Sequence, residues 1–264
     1  MFASLYFLRQ HILFINFINK KNGIFMFNIT LSMLLFMFSL VTFALTDTAT
    51  ILLDQTPLPD VSPTTYYVAD EDQTSCKGRY GRNTYNGDEV TDVITPDGEL
   101  IAEVCTRFFK VLSMEGTGRL KDRGQGKITV NWAGNYTFRK MDKCVFGEGV
   151  EKDLCLIPYH TIAADLNAHR LNSVVFIPKA KGLMLPDGRV HNGFFLVRDT
   201  GGAFRDVGFN RIDLFVGNET DQNNVFSRAG MHHRAKFKAY KLQGEMKEHA
   251  LTFFKENFPT LFFK

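Results

Sequence analysis

The sequence predicts a mainly β fold, a barrel with few helices, and three observations predict it. Beyond residue 63, short runs rich in β-branched and aromatic side chains recur between turn signals. Only two stretches have the length and composition of helices. The roughly 200 residues involved, with no repeat and no low-complexity block, suit one substantial β domain. With 264 residues, 45% of them hydrophobic and 22% charged, the chain is too apolar to remain disordered.

The chain opens on a leader. Arg9, Lys20 and Lys21 are the only charged residues before Asp47, and Leu31 to Ala44 is almost purely apolar. A cationic flank followed by an apolar run is a signal-peptide layout, so residues 1–45 are read as a signal peptide, with an uncleaved membrane anchor as the rival. Met26 offers an alternative start. Setting the leader's three cations aside leaves 28 cations against 28 anions. That balance argues against the basic field that nucleic-acid binding needs.

Residues 46–63 carry Pro57, Pro59 and Pro63 among polar residues and read as an extended linker, with the folded domain over residues 64–264. Strands are expected at Thr65 to Val68, Cys105 to Leu112, Lys127 to Trp132, Tyr159 to Ala164, Ser173 to Ile177, Gly193 to Val197 and Ala235 to Leu242. Turns separate them at Gly116-Thr117-Gly118, Gly134-Asn135, Pro186-Asp187-Gly188 and Gly201-Gly202. Helices are expected at Gln222 to Arg228 and Glu245 to Phe258, the latter with Met246, Ala250, Phe253 and Phe254 on one side. All four cysteines follow the leader, which suits two disulfides. Cys144 with Cys155 is the favoured pair, because a short loop closes cheaply.

The segment least like a structural average is Asp199-Thr200-Gly201-Gly202-Ala203, followed by Arg211-Ile212-Asp213-Leu214-Phe215. The apolar neighbours of Asp213 would raise its pKa by disfavouring the charged form. Asp165 ends the apolar run Thr161-Ile162-Ala163-Ala164 and can bring a third acid to the same place. The histidines show no metal-ligand spacing. His232-His233 would point to opposite faces of a strand, while His191 is a candidate for lining a groove. No metal and no cofactor is expected.

These segments resemble the three-aspartate (3D) domain, and in particular its membrane-bound lytic murein transglycosylase A branch. Ala163-Ala164-Asp165 with Ile177-Pro178 is similar to the first aspartate strand, Asp199-Thr200-Gly201-Gly202-Ala203 to the second and Arg211-Ile212-Asp213 to the third. Thr65-Tyr66-Tyr67 resembles the early tyrosine pair, Met114-Glu115-Gly116-Thr117-Gly118-Arg119-Leu120 the glycine turn, Trp132-Ala133-Gly134-Asn135 the strand after it, and Arg228-Ala229-Gly230 the approach to the last strand.

The resemblance implies a double-psi β-barrel with a reduced second β lobe. It also implies a peptidoglycan glycan strand as the partner, and non-hydrolytic cleavage of its MurNAc–GlcNAc bond to a 1,6-anhydro product. Asp213 is then the catalytic acid with Asp199 in support, the charge of Asp199 helping to keep Asp213 protonated. Asp165, Thr200, Gly201, Gly202, Gly116, Thr117, Gly118, Tyr67 and His191 become candidate substrate-binding residues. At most one of Tyr66 and Tyr67 is expected to meet substrate, since neighbours on a strand face opposite ways. Two departures stand out. The loop between Asp199 and Asp213 is longer than the family's, and the Cys144 to Cys155 segment replaces a helical stretch. A non-catalytic glycan-binding or expansin-like wall-loosening module is the alternative function.

Overall fold

The computed structural model describes residues 55–220 and 222–259; the leader and the first part of the expected linker lie outside them. The chain is mainly β with few helices. Residues 55–63, expected as a tether, belong instead to the folded domain. Strand β1 (Thr56–Pro57) and strand β2 (Ser62–Tyr66) frame this segment, and Leu58 and Val61 between them are buried. Proline tolerates both positions because they lie on edge strands, where a missing N–H breaks no ladder.

The chain then builds a second lobe. Strand β3 (Ala69–Asp70) leads to two hairpins, β4 (Gly78–Tyr80) with β5 (Asn83–Tyr85) and β6 (Val90–Ile94) with β7 (Leu100–Cys105). Helix α1 (Thr106–Glu115) follows where the sequence predicted a strand from Cys105 to Leu112. A short apolar run does not distinguish the two, and here Phe108, Val111 and Leu112 gather at helical spacing on one buried face. Gly116 ends the helix at φ 80°, and its N–H bonds Leu112 O at 2.9 Å, the left-handed cap that glycine adopts without a Cβ penalty. Strands β8 (Thr117–Leu120), β9 (Ile128–Gly134) and β10 (Thr137–Lys140) join β3 in a four-stranded sheet ordered β10-β9-β8-β3. Its core packs Phe108, Leu112, Leu120, Val130 and Phe138, with Trp132 half-buried against it.

The main sheet comes from β11 (Thr161–Ala164), β12 (Val174–Phe176), β13 (Phe194–Asp199), β14 (Arg211–Phe215) and β15 (Tyr240–Lys241) with β1 and β2. Its order is β1-β15-β12-β13-β11-β14-β2, in which β11 runs parallel to β13 and β14 runs parallel to β2. Residues of β11 and β13 are buried almost throughout, as expected of central strands covered on both faces. In β14, Ile212 and Leu214 enter the main core while Asp213 and Phe215 take the other face, so the period of two sets which side the acid occupies.

The last third is less regular than predicted. Helix α2 (Val225–Arg228), capped by Asn224, is shorter than Gln222 to Arg228, and of Ala235 to Leu242 only β15 and a bridge from Phe237 to Val61 pair. Helix α3 (Gly244–Asn257) buries Ala250 and Phe254 on its apolar side, close to the predicted span. Both disulfides form, Cys144–Cys155 as favoured and Cys76–Cys105 tying the β4 approach to the start of α1.

Candidate functional site

Pairing register brings the two loop acids together. Ala163, in the central strand β11, pairs with Asp199 on one side and Asp213 on the other, and Asp213 in turn pairs with Thr64 of β2. Asp199, Ala163, Asp213 and Thr64 therefore form one row across four strands. Neighbouring strands lie about 4.8 Å apart, so roughly 10 Å of backbone separates the acids. The residue paired with both acids, Ala163, adds only a methyl group to the row. The Thr64 hydroxyl donates to Asp213 Oδ1, and Tyr66, two residues further along β2, shares this face and packs its ring 4.9 Å from Phe215.

The surroundings of the row make both carboxyls reluctant to ionise. Burial raises Asp213 to about 6, against the opposing pull of the Arg211 cation 3.9 Å away and of Thr64. Burial also raises Asp199 to about 6. The Thr200 N–H, at 2.8 Å, and the nearby Tyr66 hydroxyl pull it down, while the charge of Asp213 pushes it up. Desolvation, more than the expected repulsion between the acids, is the main cause. Tyr66 completes the cluster. Its buried hydroxyl has no hydrogen-bond partner of normal geometry, and burial, then the charges of Asp199, Asp213 and Glu115, hold its pKa well above the usual tyrosine range.

The β11–β13 register shifts between Ile162 and Ala163, and the loop between Asp199 and Asp213 is tied down from two sides. Asp165 Oδ2 accepts from Gly208 N and Oδ1 from Asn167 N, both at 2.9 Å, which lowers its own pKa. Asp165 is 4% exposed, so it anchors the loop from beneath and does not present a carboxylate to a ligand. Arg211 lies over the Phe204 ring, 5.3 Å from its centroid, and pins the loop from the strand side. Thr200, Gly201 and Gly202 stay exposed on the rim beside Asp199, where backbone can meet a ligand.

Other predicted residues lie elsewhere. His191 is fully buried, not groove-lining. Its Nε2 bonds Tyr159 O at 2.6 Å, its Nδ1 accepts from Gly193 N, and its ring stacks on His160. Burial lowers both histidines to about 3, so the pair is neutral structural filling. Thr117 is buried, bonding Asn131 Oδ1 at 2.6 Å, and Gly118 packs against Leu112 so closely that a Cβ would sit 2.4 Å from it. With Gly116 capping α1, the glycine turn is framework of the second lobe. Of the tyrosine pair it is Tyr66 that joins the acids. Tyr67, its N–H bonded to Glu115 Oε2, lines a separate cavity of about 490 Å³ that none of the acid-row residues reaches. Sequence reasoning missed Thr64, Glu115 and Arg211 and chose Tyr67 of the tyrosine pair, and only the alternation along β2 pointed toward Thr64 and Tyr66 together.

The Cys144–Cys155 loop buttresses Asp199 from behind. Arg198, the buried residue before it, donates to Cys155 O, and Arg198 O accepts from Val150 N at 3.0 Å. On its other flank Glu148 binds Arg139 at 2.8 Å and its N–H meets Asn131 Oδ1, so the loop bridges the acid strand and the second lobe.

No curated protein matches the chain significantly. Among solved structures, the membrane-bound lytic murein transglycosylase from Agrobacterium tumefaciens is similar at a TM-score of 0.44 and 15% identity over 70% of this chain and 75% of that one. Escherichia coli MltA with bound chitohexaose gives 0.41 and 13% over 70% and 72%, and the lytic transglycosylase LtgG of Burkholderia pseudomallei 0.33 and 17% over 69% and 70%. Residues 160–249 match the family model of the 3D domain. This segment, which holds Asp165, Asp199 and Asp213, is similar to the 3D domain.

Proposed function

We propose that this protein is an exported murein lytic transglycosylase whose main sheet is a double-psi β-barrel and whose acid is Asp213. The single observation that carries the reading is the row Asp199–Ala163–Asp213–Thr64, with both carboxyls raised to about 6 beside an exposed glycine rim. The two parallel strand pairs support the barrel, and the two disulfides support export with residues 1–45 as signal or anchor.

A glycosidase that uses water needs two carboxyl groups, one to protonate the leaving oxygen and one to activate water or attack the sugar. When the sugar's own C6 hydroxyl attacks C1, proximity replaces the second group. Protonated Asp213 gives its proton to the glycosidic oxygen as the C1–O bond breaks. The C6 oxygen then bonds C1, and the Asp213 carboxylate takes the C6 hydroxyl proton, ending as it began. No water is consumed. A pKa near 6 lets one group serve both steps near neutral pH. Thr64 fixes the carboxyl's orientation, Arg211 steadies its charged form, and Asp199 with Tyr66 supplies a polar wall. Thr200, Gly201 and Gly202 offer backbone to the glycan.

The test is incubation of the protein with murein sacculi and mass analysis of what is released. Anhydro-muropeptides that vanish in Asp213→Ala and persist in Asp187→Ala support the proposal. Reducing-end products would mean hydrolysis, and intact sacculi retaining bound protein would make this a binding module.

A further inference from the structure

The cavity lined by Tyr67 has its own chemistry. The second lobe contributes Arg79, Tyr80 and Arg107 to its wall, and the stretch after β14 contributes Asn218, Thr220 and Gln222. Its volume, about 490 Å³, falls within the range of small-ligand sites. Among the described residues Asp70 brings the single carboxylate in the lining, and Arg119 and Lys127 already neutralise it at 3.9 and 3.7 Å.

Neither guanidinium in the wall takes part in an ion pair among the described residues. Arg79 Nε donates to Gly81 O, and Arg107 spends Nη1 on Ser75 O while its Nε is buried without a partner. Each guanidinium carries five N–H groups, and these bonds use one apiece, which leaves donors for a carboxylate oxygen. Two planar forks suit a planar carboxylate, which Arg binds through paired N–H bonds. The amide and hydroxyl groups of Asn218, Thr220 and Gln222 match amide groups next to that carboxylate, and Tyr67 and Tyr80 add flat faces. The wall is held in shape: the Cys76–Cys105 bridge ends one residue before α1, beside Arg107.

We propose that this cavity binds a small ligand carrying a free carboxylate next to amide groups, with Arg107 and Arg79 as its anion-binding residues. Two sources share that chemistry, the end of a short peptide and an N-acetylated sugar acid. The inference does not rest on glycan cleavage, because the cavity and the acid row share no residue.

The experiment is calorimetric titration of the full chain at low salt with N-acetyl-alanyl-alanine, its C-terminal amide, N-acetylmuramic acid, N-acetylglucosamine and inorganic phosphate. Either acid should bind, its neutral counterpart should bind at least roughly tenfold more weakly, and the tighter acid identifies the source. Arg107→Gln and Arg79→Gln should each weaken the acid by roughly tenfold, while Asp187→Ala leaves binding unchanged. Arg107 also supports Ser75, so the exposed Arg79 and a melting curve for each variant separate lost binding from lost fold. Equal affinity for acid and amide, no binding of either acid, tighter binding of phosphate, or unaltered affinity in both arginine variants would overturn the proposal.

Discussion

Replacing Asp213 with asparagine should inactivate the protein and stabilise it above neutral pH. Burial lifts the Asp213 carboxyl from 3.8 to about 6, so the folded chain holds this proton more tightly than the unfolded chain does. At about 1.36 kcal/mol per pH unit, keeping the group ionised costs the folded state about 3 kcal/mol once the pH exceeds the folded pKa. That figure already nets Arg211 and Thr64, both of which favour the charge. Asparagine keeps an acceptor for Thr64 but adds an amide donor to be satisfied, which takes back about 1 kcal/mol. The remaining ~2 kcal/mol corresponds to a rise in Tm of roughly 4–8 °C for a domain of this size. The sign follows from the raised pKa. The protonated carboxyl's advantage is fully present below 3.8 and is lost as pH rises through about 6, so the variant's gain is full at pH 8 and fades toward pH 4. Melting curves from pH 4 to 8.5, run beside muropeptide release that should fall by roughly 100- to 10,000-fold, are the assay. A variant no more stable than the parent at pH 8, or one that still releases anhydro-muropeptides, would refute the reasoning.

The activity should decline as pH rises through about 6, since a protonated Asp213 starts the reaction. Arg211→Gln should move that limb to higher pH by removing the cation that lowers the acid, read from kcat/KM against pH. Replacing Cys144 and Cys155 together by serine should cost about 3 kcal/mol through the freed loop. It should also reduce activity more than loss of Cys76–Cys105, because the first loop alone hydrogen-bonds Arg198 behind Asp199; denaturant melts with parallel muropeptide assays compare the two. Gly149→Ala places a Cβ 1.9 Å from the Arg198 carbonyl oxygen, so it should cost about 1–3 kcal/mol and lower release, read from melting curves beside muropeptide assays.

Particular residues show how far the sequence could be read. The apolar neighbours Ile212, Leu214 and Phe215 were enough to anticipate the raised pKa of Asp213, but not that it takes the strand face opposite the main core. The pair Cys144 and Cys155 was legible from loop length. Helix α1 was not, because Cys105 to Leu112 is rich in residues that suit either element, and the deciding contact, a buried face against β8 and β9, comes from later in the chain. The groove role expected for His191 failed for a related reason. A histidine between turn residues reads as a surface group until a second histidine, thirty-one residues earlier, stacks on it and closes it off from water.

Local pattern therefore determined the mainly β content and the disulfide chemistry, since each depends on neighbours within a few positions. Tertiary structure alone decided that Ala163 brings Asp199 and Asp213 into one row, that Tyr66 and not Tyr67 stands beside them, and that Asp165 serves the loop. Those facts depend on strand register and on how deeply each carboxyl is removed from water, and both arise only when segments as distant as residues 64 and 213 pair.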